Sequence, residues 1–164
     1  MFQEYKKILI PVDGSRESEL SFRKAVEVAK RNKAAIIITH IIDTRAIQTP
    51  TGFEGSFTDE IVRQSKTLME EYKIYATNEG ITDVQTVIEY GSPKAIIAKD
   101  LPAEHGVDLI MIGATGLTAI EILFIGSVSE YVIRNAPCDV LVVRTDLENK
   151  PKTKKSWTGS FSPD

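Results

Sequence analysis

Leu109-Ile110-Met111-Ile112-Gly113-Ala114-Thr115-Gly116, followed after Leu117 to Ile125 by Gly126-Ser127-Val128-Ser129-Glu130, is the stretch that decides how this chain folds. Four consecutive apolar residues closed by glycine have the length of a strand buried on both faces. Glycines at the end of such a strand let backbone N–H groups turn inward and approach an anion closely. A helix opening on Gly126-Ser127 adds unpaired N–H groups and a partial positive charge. Strand, glycine loop and helix N-terminus together make a candidate phosphate site. The same residues also admit a plainer reading, a flexible loop closed by a helix cap, because Ser127 and Glu130 have the Ser-x-x-Glu spacing of a capping box.

The pattern repeats on either side. Ile8-Leu9-Ile10-Pro11-Val12 is a first strand, stopped by Asp13-Gly14-Ser15. Ser15 is a plausible N-cap for a helix with Glu17 and Glu19 in its first turn and Phe22, Ala25, Val26 and Ala29 on one face. Ala35 to Ile42 is a second strand. A second helix is expected from about Asp59 to Glu79, turned inward through Ile61, Leu68, Met69, Tyr72 and Ala76 and ending at Gly80. Val84 to Tyr90 is a third strand. Ser92-Pro93 then caps a third helix carrying Ile96, Ile97 and Leu101, which Pro102 should end or kink. Val107 to Ile112 is the fourth strand, Val128 to Asn135 the fourth helix, and Asp139 to Val143 the fifth strand.

Strands that are apolar on both faces and alternate with helices form a parallel sheet covered on both sides. With right-handed crossovers this is an α/β fold, a doubly wound five-stranded parallel sheet with helices on both faces. Such sheets bind ligands at the carboxyl ends of their strands, where the strand order reverses. If the first and fourth strands are neighbours, Asp13-Gly14-Ser15 and the glycine loop share one crevice. Gly113 and Gly126 would then serve ligand approach more than folding.

The chain has 164 residues, enough for one domain that buries most of its unfolded surface. Its hydrophobic content of 42%, charged content of 26% and formal net charge of −3 suit a soluble protein with no global attraction to nucleic acid or anionic membrane. Cys138 is the only cysteine, which excludes an intrachain disulfide and a cysteine metal cluster. No apolar run approaches membrane-spanning length, so a cytoplasmic location is expected. Thr44 to Phe57 is long for a connection and reads as a surface loop or a lid. From Asp146 to Asp164 the chain reads as a polar, flexible tail, although Trp157 and Phe161 offer docking groups.

Other chemistry finds little footing. His40, near a strand end, suits a packed or hydrogen-bonded imidazole, and His105 a helix C-terminus. There is no nucleophile elbow, metal-ligand pair, Walker A lysine or Gly-x-Gly-x-x-Gly. Cys138 reads as a small buried hydrophobe.

The opening Lys7-Ile8-Leu9-Ile10-Pro11-Val12-Asp13-Gly14-Ser15, the Gly113 to Ser127 spacing and the ending Asn135-Ala136-Pro137-Cys138-Asp139-Val140-Leu141-Val142-Val143 together resemble the universal stress protein family. The match covers about residues 4 to 145, a domain of 1–145 followed by the tail 146–164. The G-x2-G-x9-G-[ST] pattern marks the family's ATP-binding branch. The resemblance implies a Rossmann-like fold of the adenine nucleotide alpha hydrolase-like kind and a nucleotide-responsive stress or regulatory protein. Pro11, Val12 and Asp13 would border the nucleotide, with Asp13 near ribose and phosphates through a divalent metal, Mg or Mn. Ile41 would offer backbone groups to adenine, and Ile112 and Gly113 would flank the ribose. Gly116, Gly126, Ser127, Val128 and Ser129 would hold phosphates. Asp13 has a second reading as a cap of the first helix. Ala114, Thr115 and Leu117 stand where the family often has basic residues, so the loop brings no cation. The resemblance further implies a homodimer through the fifth strand, Val140, Leu141, Val142 and Val143. A slow metal-dependent ATP hydrolase or nucleotidyl-transfer enzyme built on Asp13 is the other functional reading, and a dimer that binds no nucleotide a third.

Overall fold

The structure, a computed structural model, describes residues 4–46, 54–114 and 125–151. Five strands form one parallel sheet: β1 (Lys7–Pro11), β2 (Ala35–Ile42), β3 (Val84–Tyr90), β4 (Leu109–Gly113) and β5 (Asp139–Val143). Their order is β3-β2-β1-β4-β5, so the chain winds one way from β1 and then returns to its other side. β2, β3 and β5 have the boundaries read from the sequence, while β1 and β4 are displaced by one or two residues.

Alternating side chains of the central strands fill two separate cores. Ile8, Ile10, Ile36, Ile38, Leu109 and Met111 face α1 (Arg16–Asn32) and α2 (Glu54–Asn78). Leu9, Ile37, Ile110 and Ile112 face the helical segment 93–105 and α5 (Ser127–Asn135). Each fully buried aliphatic contributes roughly 1.5–3 kcal/mol of transfer free energy, which is why the two-sided apolar pattern dictates two helical layers. Phe22 of α1 meets Tyr72 of α2 edge-on at 4.6 Å between ring centroids, tying together the two helices on that face. Among the described residues no helix is long and apolar enough to cross a membrane.

Three local expectations are corrected. α2 is already helical at Glu54, five residues before the expected start, and Thr44–Ala46 forms a 3-10 turn, so much of the supposed 44–57 loop is helix. Residues 47–53 lie outside the described residues. Pro102 does not end its helix. The segment runs from α3 (Pro93–Ala95) through a π-wound turn (Ile96–Asp100) into α4 (Leu101–His105), closing on Gly106 at φ 65°. The π turn ends at Asp100, with Leu101 between it and the proline, and the Leu101 N–H reaches back to Ile96 O. This wider winding accommodates a ring that clashes with the α-helical carbonyl four residues back and lacks a donor.

The third correction concerns the start of the tail. Asp146 Oδ1 accepts from the N–H groups of Glu148 and Lys150, each at 2.9 Å. Thr145 bridges Pro151, and Lys24 Nζ of α1 donates to Thr145 Oγ1 at 2.7 Å and to Asn149 Oδ1 at 3.0 Å. Residues 146–151 are thus a bonded turn; 152–164, with Trp157 and Phe161, lie outside the described residues.

Glu19 is buried in α1 beside Arg23, whose Nη2 lies 2.9 Å from Oε1. Burial raises the Glu19 pKa more than the guanidinium lowers it. A raised folded-state pKa means that the native state holds the proton longer than the unfolded chain, so this group's contribution to stability falls as pH rises above the ordinary glutamate range. Glu19→Gln removes that dependence. Thermal melts should match wild type near pH 4 and show the variant gaining relative stability as pH rises towards neutrality.

Candidate functional site

β1 pairs with β4 only through Ile8↔Leu109 and Leu9↔Ile110, although β4 continues alongside β5 to Gly113. The reason is Pro11. Val12 N–H donates towards β2, to Thr39 O at 2.8 Å, so by strand alternation Pro11 faces β4. A proline has no N–H to give, and the next rung to β4 is lost. The two strands separate at their carboxyl ends, where the strand order reverses, and a crevice of about 260 Å³ opens.

Pro11, Val12 and Asp13 line it from β1 and the following turn, Ile41 from β2, and Ile112 and Gly113 from β4. Gly126, Ser127, Val128 and Ser129 close it at the start of α5. Ten of the eleven residues singled out in the sequence therefore meet in one place; Gly116 lies outside the described residues. Ser18, Pro93 and Ile97 also line the crevice and were missed. Helices in this topology begin at the carboxyl ends of strands, so first-turn positions of α1 and of the 93–105 segment were the available signal.

Three helix N-termini meet the crevice; that of the 93–105 segment opens on Ser92 without a side-chain cap bond and on Pro93, which has no N–H, and the other two differ. α1 is satisfied internally: Ser15 Oγ accepts from Ser18 N–H at 3.1 Å, and Ser18 Oγ donates to Ser15 O at 3.0 Å. Asp13 Oδ1 accepts the Ser15 N–H at 2.9 Å, and Ser18 Oγ accepts from Asp13 N–H at 3.2 Å. The N-cap is Ser15, not Asp13; the carboxylate instead braces the turn through one oxygen. α5 has no such arrangement. Its N-cap is Gly126 with no side-chain bond, so the Ser127–Glu130 capping box does not form. Glu130 pairs with Arg134 at 2.9 Å instead. The first turn of α5 thus presents its N–H groups and dipole without a side-chain cap.

Ser129 is buried, and its hydroxyl donates to Gly113 O at 2.7 Å, pinning α5 to β4. With that proton committed, Ser129 has its backbone N–H left for a ligand, while Ser127 is exposed at the crevice. His40 Nδ1 lies 2.8 Å from Val12 O, the hydrogen-bonded imidazole expected of it. Cys138 is half-buried, and burial first, then the carboxylates of Asp108 and Asp139, raise its thiol pKa. Asp13 is the only ionisable side chain among the described residues lining the crevice. No cluster of His, Cys, Asp or Glu suited to a metal occurs among the described residues.

Fold and crevice define an open, doubly wound α/β domain with its cleft at the topological switch point. The Universal stress protein family pattern matches residues 4–144. A Staphylococcus haemolyticus protein named for the same family is 53% identical over 142 residues, covering 87% of this chain and 86% of its own. The universal stress protein UspA from Lactobacillus plantarum superposes with a TM-score of 0.79 at 30% identity, covering 87% of this chain and all of that one. A universal stress protein in complex with cAMP shares the fold at 24% identity and a TM-score of 0.66, covering 87% of this chain and 98% of that one. The chain belongs to the universal stress protein family.

The expectation that both Gly113 and Gly126 serve the ligand more than the fold is corrected for Gly113. A Cβ there would lie 3.0 Å from Glu17 O and 3.2 Å from Glu17 C, backbone atoms that cannot swing aside. Its glycine lets α1 pack against the end of β4. Gly126, at φ −64° and ψ 159°, has a backbone any residue adopts. Gly113→Ala should cost about 1–3 kcal/mol by overpacking, a fall of roughly 2–4 °C in Tm per kcal/mol. Gly126→Val should keep the wild-type melt while weakening any anion held at the start of α5 roughly tenfold, about 1.4 kcal/mol. Calorimetry and titration of the two variants check this.

Proposed function

We propose that the crevice binds ATP with a divalent cation, Mg or Mn, and that the protein is a nucleotide-responsive regulatory member of its family rather than an enzyme. The observation that carries this is the uncapped N-terminus of α5 facing a cleft with apolar walls at Ile41, Pro93 and Ile97. Backbone N–H groups and a helix dipole are phosphate ligands, and the apolar walls suit a base. Gly126, Ser127, Val128 and Ser129 take the phosphates, Ile112 and Gly113 flank the ribose, and Ile41 meets the base. Asp13 Oδ1 is occupied by Ser15 N–H, and the carboxylate serves a phosphate-bound cation or a ribose hydroxyl. The cAMP complex, at its low identity, shares the fold only, so the case rests on this chain's own residues.

Holding is favoured over hydrolysis for a chemical reason. Phosphoryl transfer needs an oriented water and positive charge on the leaving oxygens. Asp13 is the only charged side chain among the described lining residues, and residues 115–124 contain no Lys, Arg or His. ATP with magnesium at ~100 times Kd should stabilise the fold by about 2.7 kcal/mol, a rise of roughly 5–10 °C in Tm. GTP should give a smaller rise, and Asp13→Ala should shrink the ATP shift. Steady ADP release on the order of 1 per second, lost in Asp13→Ala, would establish the hydrolase reading instead.

We also propose a homodimer through β5. This strand is a sheet edge whose outward residue Leu141 is 40% exposed. A bare apolar edge invites pairing with a second copy about a two-fold axis. Val140 and Val142 pack against the chain's own core, which makes Leu141 the position to probe. Light scattering should give twice the 18.2 kDa chain mass, and Leu141→Arg should shift it towards monomer without unfolding. A wild-type monomer at high micromolar concentration would refute the interface.

A further inference from the structure

β1 loses β2 at the carbonyl of Val12, and a side chain ends that ladder. In a parallel pair, the N–H and C=O of one residue face the same neighbour and reach the residues on either side of its partner. The register Pro11↔Thr39 sets Val12 opposite His40. Val12 N–H accordingly donates to Thr39 O at 2.8 Å. The next rung would carry Ile41 N–H to Val12 O. That carbonyl instead lies 2.8 Å from His40 Nδ1. A carbonyl only accepts, so Nδ1 carries the proton, and it does so in imidazole and imidazolium alike. Ile41 shares the orientation of Thr39, so its backbone N–H and C=O face the β1 side beyond the last rung, at a residue that lines the crevice.

We infer that His40 is a positioning residue: by standing in for Ile41 N–H at Val12 O, it keeps the Ile41 backbone donor and acceptor open to the base of a bound nucleotide. The contact does two jobs. It satisfies a carbonyl that would otherwise draw the next rung closed, and it fixes Val12 directly before Asp13. The ligand part rests on the nucleotide reading above; the hydrogen-bond part does not. A neighbouring donor and acceptor on one edge match the paired acceptor and donor of adenine and mismatch guanine, which gives the selectivity a physical origin.

The test uses the full chain as wild type, His40→Leu and His40→Asn, the last because its carboxamide nitrogen stands close to where Nδ1 does. Residue-resolved amide exchange is expected to show Ile41 exchanging at least about tenfold faster than Ile37 and Thr39, whose amides face β1 within the ladder. His40→Leu should slow Ile41 by a similar factor as its N–H takes Val12 O, and His40→Asn should return the wild-type rate. Calorimetric titration should find ATP binding weakened roughly tenfold in His40→Leu and recovered in His40→Asn, with inorganic tripolyphosphate binding unchanged within about twofold. An Ile41 amide as slow as Thr39 in wild type, or unchanged in His40→Leu, overturns the inference whatever ATP does. Equal loss of ATP and tripolyphosphate overturns it too, by showing a general structural role. A wild type that does not bind ATP but keeps the exchange pattern overturns the nucleotide reading and leaves the hydrogen-bond exchange standing.

Discussion

The end of the central strand sets everything near the crevice. β1 is hydrogen-bonded on both sides until Leu9, then loses its neighbours one at a time: β4 at Pro11, because proline has no donor, and β2 after Val12, because His40 takes the carbonyl. A proline in a central strand is ordinarily a fault. At the last residue of the strand it becomes a wedge, since only the rung beyond which the sheet should open is removed. The rigid part of the sheet ends where the cleft begins, and the residues lining it stand on regular elements rather than long loops.

What happens to the two helices that start there follows from their caps. The first turn of α1 is closed by Ser15, Ser18 and Asp13, a set of short bonds that leaves it little to offer an anion. α5 starts on a glycine with no such set. Between these two the contrast directs an anion to α5 rather than α1, even though both dipoles point at the same crevice. The closeness of α1 to β4 matters as well. It makes glycine the residue that fits at position 113 without shifting the Glu17 backbone, so two glycines that look alike in sequence differ in what surrounds them.

The sheet was readable because its central strands are apolar on both faces, a pattern that admits few alternatives, and its edge strands are short β-branched runs; β2, β3 and β5 have the expected bounds to the residue. Helix starts were harder, since α2 begins at Glu54 and runs at once through Gly55 and Ser56, weaker helix formers that follow the rest of the helix. Pro102 misled because the remedy, a π turn at Ile96–Asp100, costs no sequence signature. The capping box at Ser127 misled because Glu130 has an alternative partner in Arg134 one turn on. Asp146 looked like the start of a solvated tail, yet its one carboxylate oxygen takes two backbone N–H groups while Lys24 of α1 donates to Thr145 and Asn149, and together these hold a turn. The candidate site was legible wherever it sat at a strand's carboxyl end. Ser18 and Pro93 enter it from helix first turns and Ile97 from the π-wound turn that follows, where sequence periodicity reports only the buried face.

On the nucleotide reading proposed above, the described lining suits retention of a ligand better than its conversion. Backbone N–H groups and a helix end bind phosphate oxygens about as well before reaction as during it, and binding both states equally lowers no barrier. Selective stabilisation of a transition state would need a group that strengthens as charge moves, such as an arginine or an oriented base. The described lining offers one carboxylate, already half committed to Ser15 N–H, among serine hydroxyls, aliphatic side chains and main chain. A bound nucleotide would instead bridge the turn after β1 and the start of α5, two segments that separate where Pro11 ends the β1–β4 ladder. Its binding energy is then available to hold those segments in one relative position, which is the form that regulation by a retained ligand takes.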